Sequence, residues 1–110
     1  MTRREKTVET YLTEQMELVG GAAEKHVNPG HRGDPDRLCS FPDRYHCLVE
    51  TKWGEDATPE AHQLRRHEWW RQRGMDVYVL KSKEGVSKWM NQMRAHWEVS
   101  TLTGGRISAH

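Results

Sequence analysis

At 110 residues, 35% hydrophobic and 30% charged with a mean hydropathy of −0.98, the chain has material for one sheet with helices and excludes two independent cores. No stretch approaches the roughly 18 to 20 apolar residues that span a bilayer, and Met1-Thr2-Arg3-Arg4-Glu5 lacks the apolar run of a secretory signal, so a cytoplasmic location is expected. The net charge of +1 lacks the overall basicity of many nucleic-acid binders, although local clusters of opposite sign cancel in such a sum.

Val8, Leu12, Met16 and Val19 recur every three or four residues, predicting an amphipathic helix from about Glu5 to Val19 that Gly20-Gly21 ends. Ala22 to Val27 reads as a short strand, followed by a loop dense in turn formers, Asn28 to Pro35. Arg37 to Phe41 and Tyr45 to Lys52 read as an antiparallel hairpin turned by Pro42-Asp43-Arg44. Thr58 is a plausible N-cap with Pro59 at the first helical position, opening a helix to about Arg73 that Gly74 stops. Asp76 to Leu80 reads as a strand covered on both faces. Ser82 can cap a last helix striped by Val86, Trp89, Met90, Met93 and Trp97.

The fold class expected from this order is α/β, a mixed central sheet flanked by helices, with the succession α-β-β-β-α-β-α. Residues 1–98 form one domain in this reading, and 99–110 a flexible tail without period. With five Trp and a single Phe, several Trp are expected where helices meet the sheet or where subunits meet, and a homodimer would relieve the thin core. Cys39 and Cys47 fall on neighbouring strands and read as free, half-buried thiols. There is no paired-cysteine motif and no HExxH, and His62 and His67 stand five apart, off a common helix face, so a zinc site has little support.

Alternation along a strand puts Glu50 and Lys52 on one side with Leu48, and Cys47, Val49 and Thr51 on the other. If the hairpin brings Asp36 to the same point, two carboxylates converge in the oxygen-rich surroundings that Mg²⁺ or Mn²⁺ prefers, with Lys52 facing a bound phosphate.

Gly33-Asp34-Pro35-Asp36-Arg37, then Val49-Glu50-Thr51-Lys52, Gln63 on the following helix, Gly74, and Val77-Tyr78-Val79 together resemble the virus-type replication-repair nuclease domain (VRR-NUC), a branch of the PD-(D/E)XK nucleases. The likeness covers roughly Glu5 to Trp89, and its opening helix, Gly20-Gly21 and Lys25 look like small standalone phage members. Each motif alone is weak, because a carboxylate two residues before a lysine is common; the ordered set is far more specific. The resemblance implies a restriction-endonuclease-like sheet, hydrolysis of DNA phosphodiester bonds with Mg²⁺ or Mn²⁺, and a homodimer acting on branched DNA or four-way (Holliday) junctions, as in DNA repair, in a bacterial or phage-infected cell. By that likeness Asp36 and Glu50 bind metal with the Thr51 carbonyl, Lys52 orients water and steadies the phosphate, and Gln63 supports the site. A helix glutamate completes it, Glu5 first and Glu9 in reserve. Lys25, Arg32, Arg37, Arg65 and Arg66 are the candidate DNA contacts, and no nucleotide cofactor or membrane is implied.

Plainer readings stand beside these. Glu50 and Lys52 taken alone suit a solvated strand face, Asp36 a turn residue, Gln63 an exposed helix position, and the arginines of the second helix a solvated face. Asp34 adds a third acid at a variable position of the motif, and polar Thr51 is unusual inside it. Two other functions are consistent with the chain: a DNA-binding or assembly module that keeps the fold without catalysis, and a protein-interaction domain using its Trp-rich faces.

Overall fold

The stripe Val8, Leu12 and Met16 is wholly buried, and it anchors the architecture by laying the first helix across one face of the sheet. The computed structural model describes residues 3–103, with side chains from Arg4 to Arg94. The elements are α1 (Arg3–Leu18), β1 (Ala22–Lys25), β2 (Arg37–Ser40), β3 (His46–Thr51), α2 (Ala61–Gln72), β4 (Val77–Leu80) and α3 (Lys83–Thr103), the order expected from the sequence. The sheet runs β1-β2-β3-β4, with β1 and β2 and then β2 and β3 antiparallel, and β3 and β4 parallel. A parallel pair needs a crossover, and α2 supplies it. Among the described residues no helix is long and apolar enough to cross a membrane.

The sheet separates two chemistries. Cys39, Cys47, Val49 and Leu80 face α1 and α3, where Val86, Trp89 and Met90 close the apolar core. On the opposite face lie Leu48 and Glu50, and the one buried residue of α2 is His67. The alternation read from β3 is seen in the core, which takes Cys47 and Val49 but not Leu48 or Glu50.

Several local expectations are corrected. α2 begins at Ala61 behind an N-cap at Glu60 rather than Thr58, because Gln63 and Glu60 form a reciprocal capping box that satisfies the first turn. Cys39 and Cys47 are register partners across β2 and β3 and are fully rather than half buried. Their mutual hydrogen bond, with burial, pushes the Cys39 thiol far above its ordinary range, which removes thiolate character. Of the tryptophans, Trp89 is core, packed on Phe41 and Tyr78, whereas Trp53 and Trp69 are exposed; branched aliphatics and Met do most of the filling. Trp97 and residues 104–110 lie outside the described side chains and residues.

Gly21 joins α1 to β1 where a Cβ would stand 2.4 Å from the Ser40 carbonyl oxygen. Gly21→Ala is therefore expected to lower the unfolding free energy by roughly 1–3 kcal/mol, seen as a lower urea midpoint at unchanged slope. An unchanged midpoint would contradict this close approach.

Candidate active site

The C-terminal end of β3 delivers Glu50 to the α2 side of the sheet, where the side chain is almost wholly buried at 5% exposure. Two α2 residues meet it. Gln63 Nε2 donates to Glu50 Oε2 at 3.4 Å, while Gln63 Oε1 accepts the Glu60 amide at 2.8 Å. One side chain thus caps the helix and reaches the carboxylate. His67 Nε2 stands 3.5 Å from Glu50 Oε1, yet that oxygen is buried without a hydrogen-bond partner.

Asp36 lies just before β2. Its carbonyl accepts the His26 amide at 2.9 Å, and the His26 ring Nδ1 donates to the Pro35 carbonyl at 2.9 Å, so the backbone is fixed on both sides of the residue. Its carboxylate is gripped by Thr51: the amide donates to Oδ1 at 3.2 Å and the hydroxyl to Oδ2 at 2.8 Å. That amide is the peptide nitrogen linking Glu50 to Thr51, which brings the two acids to one place. Burial, and next the charge of Glu50, push the Asp36 carboxyl up to about 6; the Thr51 hydrogen bonds pull the other way, and Glu9 adds a smaller upward push. Within a strand the N–H and C=O of one residue point to the same edge, so the Thr51 carbonyl leaves β3 on the Asp36 side.

The loop before Asp36 is docked on α2. Gly33 has φ +91°, and a Cβ there would meet the His62 side chain and carbonyl at 2.8 and 2.9 Å. Asp34, the extra acid of the motif, takes a 2.5 Å ion pair from Arg66 Nε and a 3.1 Å hydrogen bond from Asn28 Nδ2. Burial raises its carboxyl, but the hydrogen bonds from Arg66 and Asn28 outweigh that and hold it below the ordinary range. It belongs to the scaffold that aims Asp36.

Lys52 follows β3 with its amide on the Leu80 carbonyl at 2.9 Å, so it continues the alternation of Leu48 and Glu50 and lies half-exposed on their side. Glu9 is buried and paired with Arg37. Glu5 sits one turn earlier on α1, half-buried and with partners of its own; the neighbouring Arg4 guanidinium lies 5.7 Å from the Trp53 ring, which sets the first turn of α1 beside the end of β3. Lys25, Arg32 and Arg65 are exposed. Arg37 and Arg66 are taken up by Glu9 and Asp34, and Arg66 also lies 4.3 Å over Trp69. The sequence reading missed the Thr51 hydroxyl and His67. The signal for Thr51 was its polarity at an inward strand position.

Among the described residues no three His, Cys, Asp or Glu side chains form a ligand cluster. What is present is a pair of mutually repelling carboxylates, Asp36 and Glu50, beside the backbone carbonyl of Thr51. That donor set fits a hard divalent ion, and Mg²⁺ in particular is commonly held by one or two carboxylates with water in its other positions.

No family model matches the chain. It is 42% identical over 82 residues to "Putative nuclease p44" of Acyrthosiphon pisum secondary endosymbiont phage 1, spanning 74% of this chain and 86% of that protein. A solved structure described as "VRR_NUC domain" superposes with a TM-score of 0.78 at 37% identity, over 82% of this chain and 97% of that one. The chain belongs to the VRR-NUC family. A second structure, "VRR_NUC domain protein", matches at TM-score 0.58 and 18% identity over 84% and 88% of the two chains, a likeness of fold. The VRR-NUC arrangement accounts for the mixed four-stranded sheet and its flanking helices as a restriction-endonuclease-like fold.

The raised Asp36 carboxyl gives this VRR-NUC domain a stability signature in the absence of metal. Because its folded value, about 6, exceeds the ordinary 3.8, the residue favours folding at low pH, and that contribution is lost as pH rises through about 6. In EDTA, the unfolding free energy of wild type relative to Asp36→Asn should fall by about 2–3 kcal/mol between pH 4 and 7. A flat difference across that window would show that neither burial nor the Glu50 charge raises the Asp36 carboxyl.

Proposed function

We propose that this chain is a metal-dependent endonuclease that hydrolyses DNA phosphodiester bonds, acting as a homodimer on branched DNA and four-way junctions. The observation that carries the reading is the meeting of Asp36 and Glu50 at the Glu50–Thr51 peptide, two residues before Lys52 in a chain 42% identical over 82 residues to a phage protein named as a putative nuclease. Membership of VRR-NUC supports nuclease activity.

In this reading Asp36, Glu50 and the Thr51 carbonyl hold Mg²⁺ or Mn²⁺. When bound, such an ion lowers the pKa of its water and offsets charge on the reacting phosphate. Lys52, level with Glu50, orients the attacking water and neutralises the non-bridging phosphate oxygens. Thr51 fixes Asp36 by two hydrogen bonds, so the carboxylate is in position before substrate arrives. Gln63 steadies Glu50 from α2. Glu5 is the proposed helix acid, with Glu9 in reserve because its carboxylate is already matched to Arg37. Lys25, Arg32 and Arg65 are the exposed cations suited to the phosphate path.

Incubating wild type with a four-way junction, a flap and a linear duplex in Mg²⁺, Mn²⁺ or EDTA tests this directly. Cleavage of the junction is expected with either metal and none in EDTA. Lys52→Ala should lose at least about 100-fold in cleavage rate while binding the junction at near wild-type affinity. Metal-independent binding with no cutting would instead favour a DNA-binding module. Light scattering of the free protein checks the dimer, for which a monomer mass is the contrary result.

A further inference from the structure

His67 is the one buried residue of α2, and it is entirely enclosed at 0% exposure. Neither ring nitrogen has a hydrogen-bond partner, and Nε2 stands 3.5 Å from Glu50 Oε1. That oxygen is itself buried and unbonded. Two complementary polar atoms, both removed from water and lacking other partners, are an expensive arrangement unless it serves the site. Gln63 and His67 are four residues apart, so one face of α2 sets the Gln63 amide nitrogen 3.4 Å from one Glu50 oxygen and a His67 ring nitrogen 3.5 Å from the other.

We propose that His67 is a positioning residue for the metal site: its Nε2–H holds Glu50 Oε1 while Gln63 holds Oε2, and together they fix the orientation in which Glu50 receives the divalent ion. This rests on the reading of Glu50 as a metal ligand. The imidazole approaches from α2, whereas Asp36 and the Thr51 carbonyl approach along the β2 edge of β3, so the histidine supports the ligand without competing for the ion. Such supporting hydrogen bonds to a metal ligand typically alter metal affinity by about 10–100-fold. Apolar packing alone would not select a histidine here. Any side chain of similar volume would fill this buried position of α2, and an apolar one would leave no nitrogen unbonded.

The test compares His67→Gln, which retains an N–H donor, with His67→Met, which has nearly the same length and none. Binding of Mn²⁺ to the full chain is measured by calorimetry, without DNA, and the fold is checked by circular dichroism. Wild type is expected to bind; His67→Met should bind at least about 10-fold more weakly, and His67→Gln within a few-fold of wild type. Equal affinity in wild type and a folded His67→Met overturns the proposal, as does equal weakening in both variants. Should His67→Met not fold, His67→Gln decides alone, because loss of Mn²⁺ binding by a folded, donor-bearing variant contradicts the proposed role and its retention supports it. Failure of wild type itself to bind Mn²⁺, with Asp36→Ala indistinguishable from it, instead sinks the metal-site reading on which the inference stands.

Discussion

The grip of Thr51 on Asp36 is the contact that the rest of the site depends on. Pairing of β2 with β3 begins at Arg37 opposite Val49, which leaves Asp36 just outside the ladder. With no ladder to hold it, the residue is fixed by His26 on its backbone and by the Thr51 amide and hydroxyl on its carboxylate. The outcome is electrostatically unfavourable without a cation, since a partly buried acid is held next to Glu50 and its carboxyl rises to about 6. Hydrogen bonds offset part of that repulsion, and an ion shared by both acids would offset the remainder.

The two faces of the sheet divide the work. Beneath α1 and α3 the layer is aliphatic, sulfur-containing and aromatic, from Val8 and Leu12 to Trp89, and it supplies the burial that a 110-residue chain needs. Beneath α2 the layer is mixed: Leu48 and Val77 are buried there, but Glu50, Gln63, His67 and the Asp34–Arg66 pair occupy space that an ordinary domain would fill with apolar side chains. Polar groups in that position contribute little net stability, and their retention makes physical sense where orientation of a carboxylate matters more than packing. The exposed helix face and the ion-paired arginines follow from the same economy of apolar side chains.

Much of this was legible from the chain, for reasons that can be named. The 3.6-residue stripes of α1 and α3 and the two-residue alternation of β3 are strong signals because burial enforces them, and the spacing of Asp36, Glu50 and Lys52 within an ordered set of motifs pointed to the site. What escaped was set by tertiary contact. Thr58 has the better intrinsic N-cap chemistry, yet α2 starts behind Glu60 because Gln63 completes a capping box there. Asp34 stood as a third acid at a variable position of the motif, and its partner, Arg66, lies 32 residues away. The hydroxyl of Thr51 read as an irregularity of the motif, and its partner lies 15 residues upstream. His67 fell off the face expected for a paired-histidine metal site, and only the depth of α2 against Glu50 reveals its place. α3 runs to Thr103, past the end of its stripe, although Val99, Ser100, Thr101 and Thr103 are weak helix formers; a helix already nucleated adds residues at less cost than one that must start.

The central claim is that Asp36 and Glu50 share one divalent cation. A crystal structure with Mn²⁺, read by anomalous scattering, tests it most directly. The account predicts an anomalous peak within coordination distance of both carboxylates and of the Thr51 carbonyl. A protein saturated with Mn²⁺ whose anomalous peak touches neither acid, or only one of them, would contradict it.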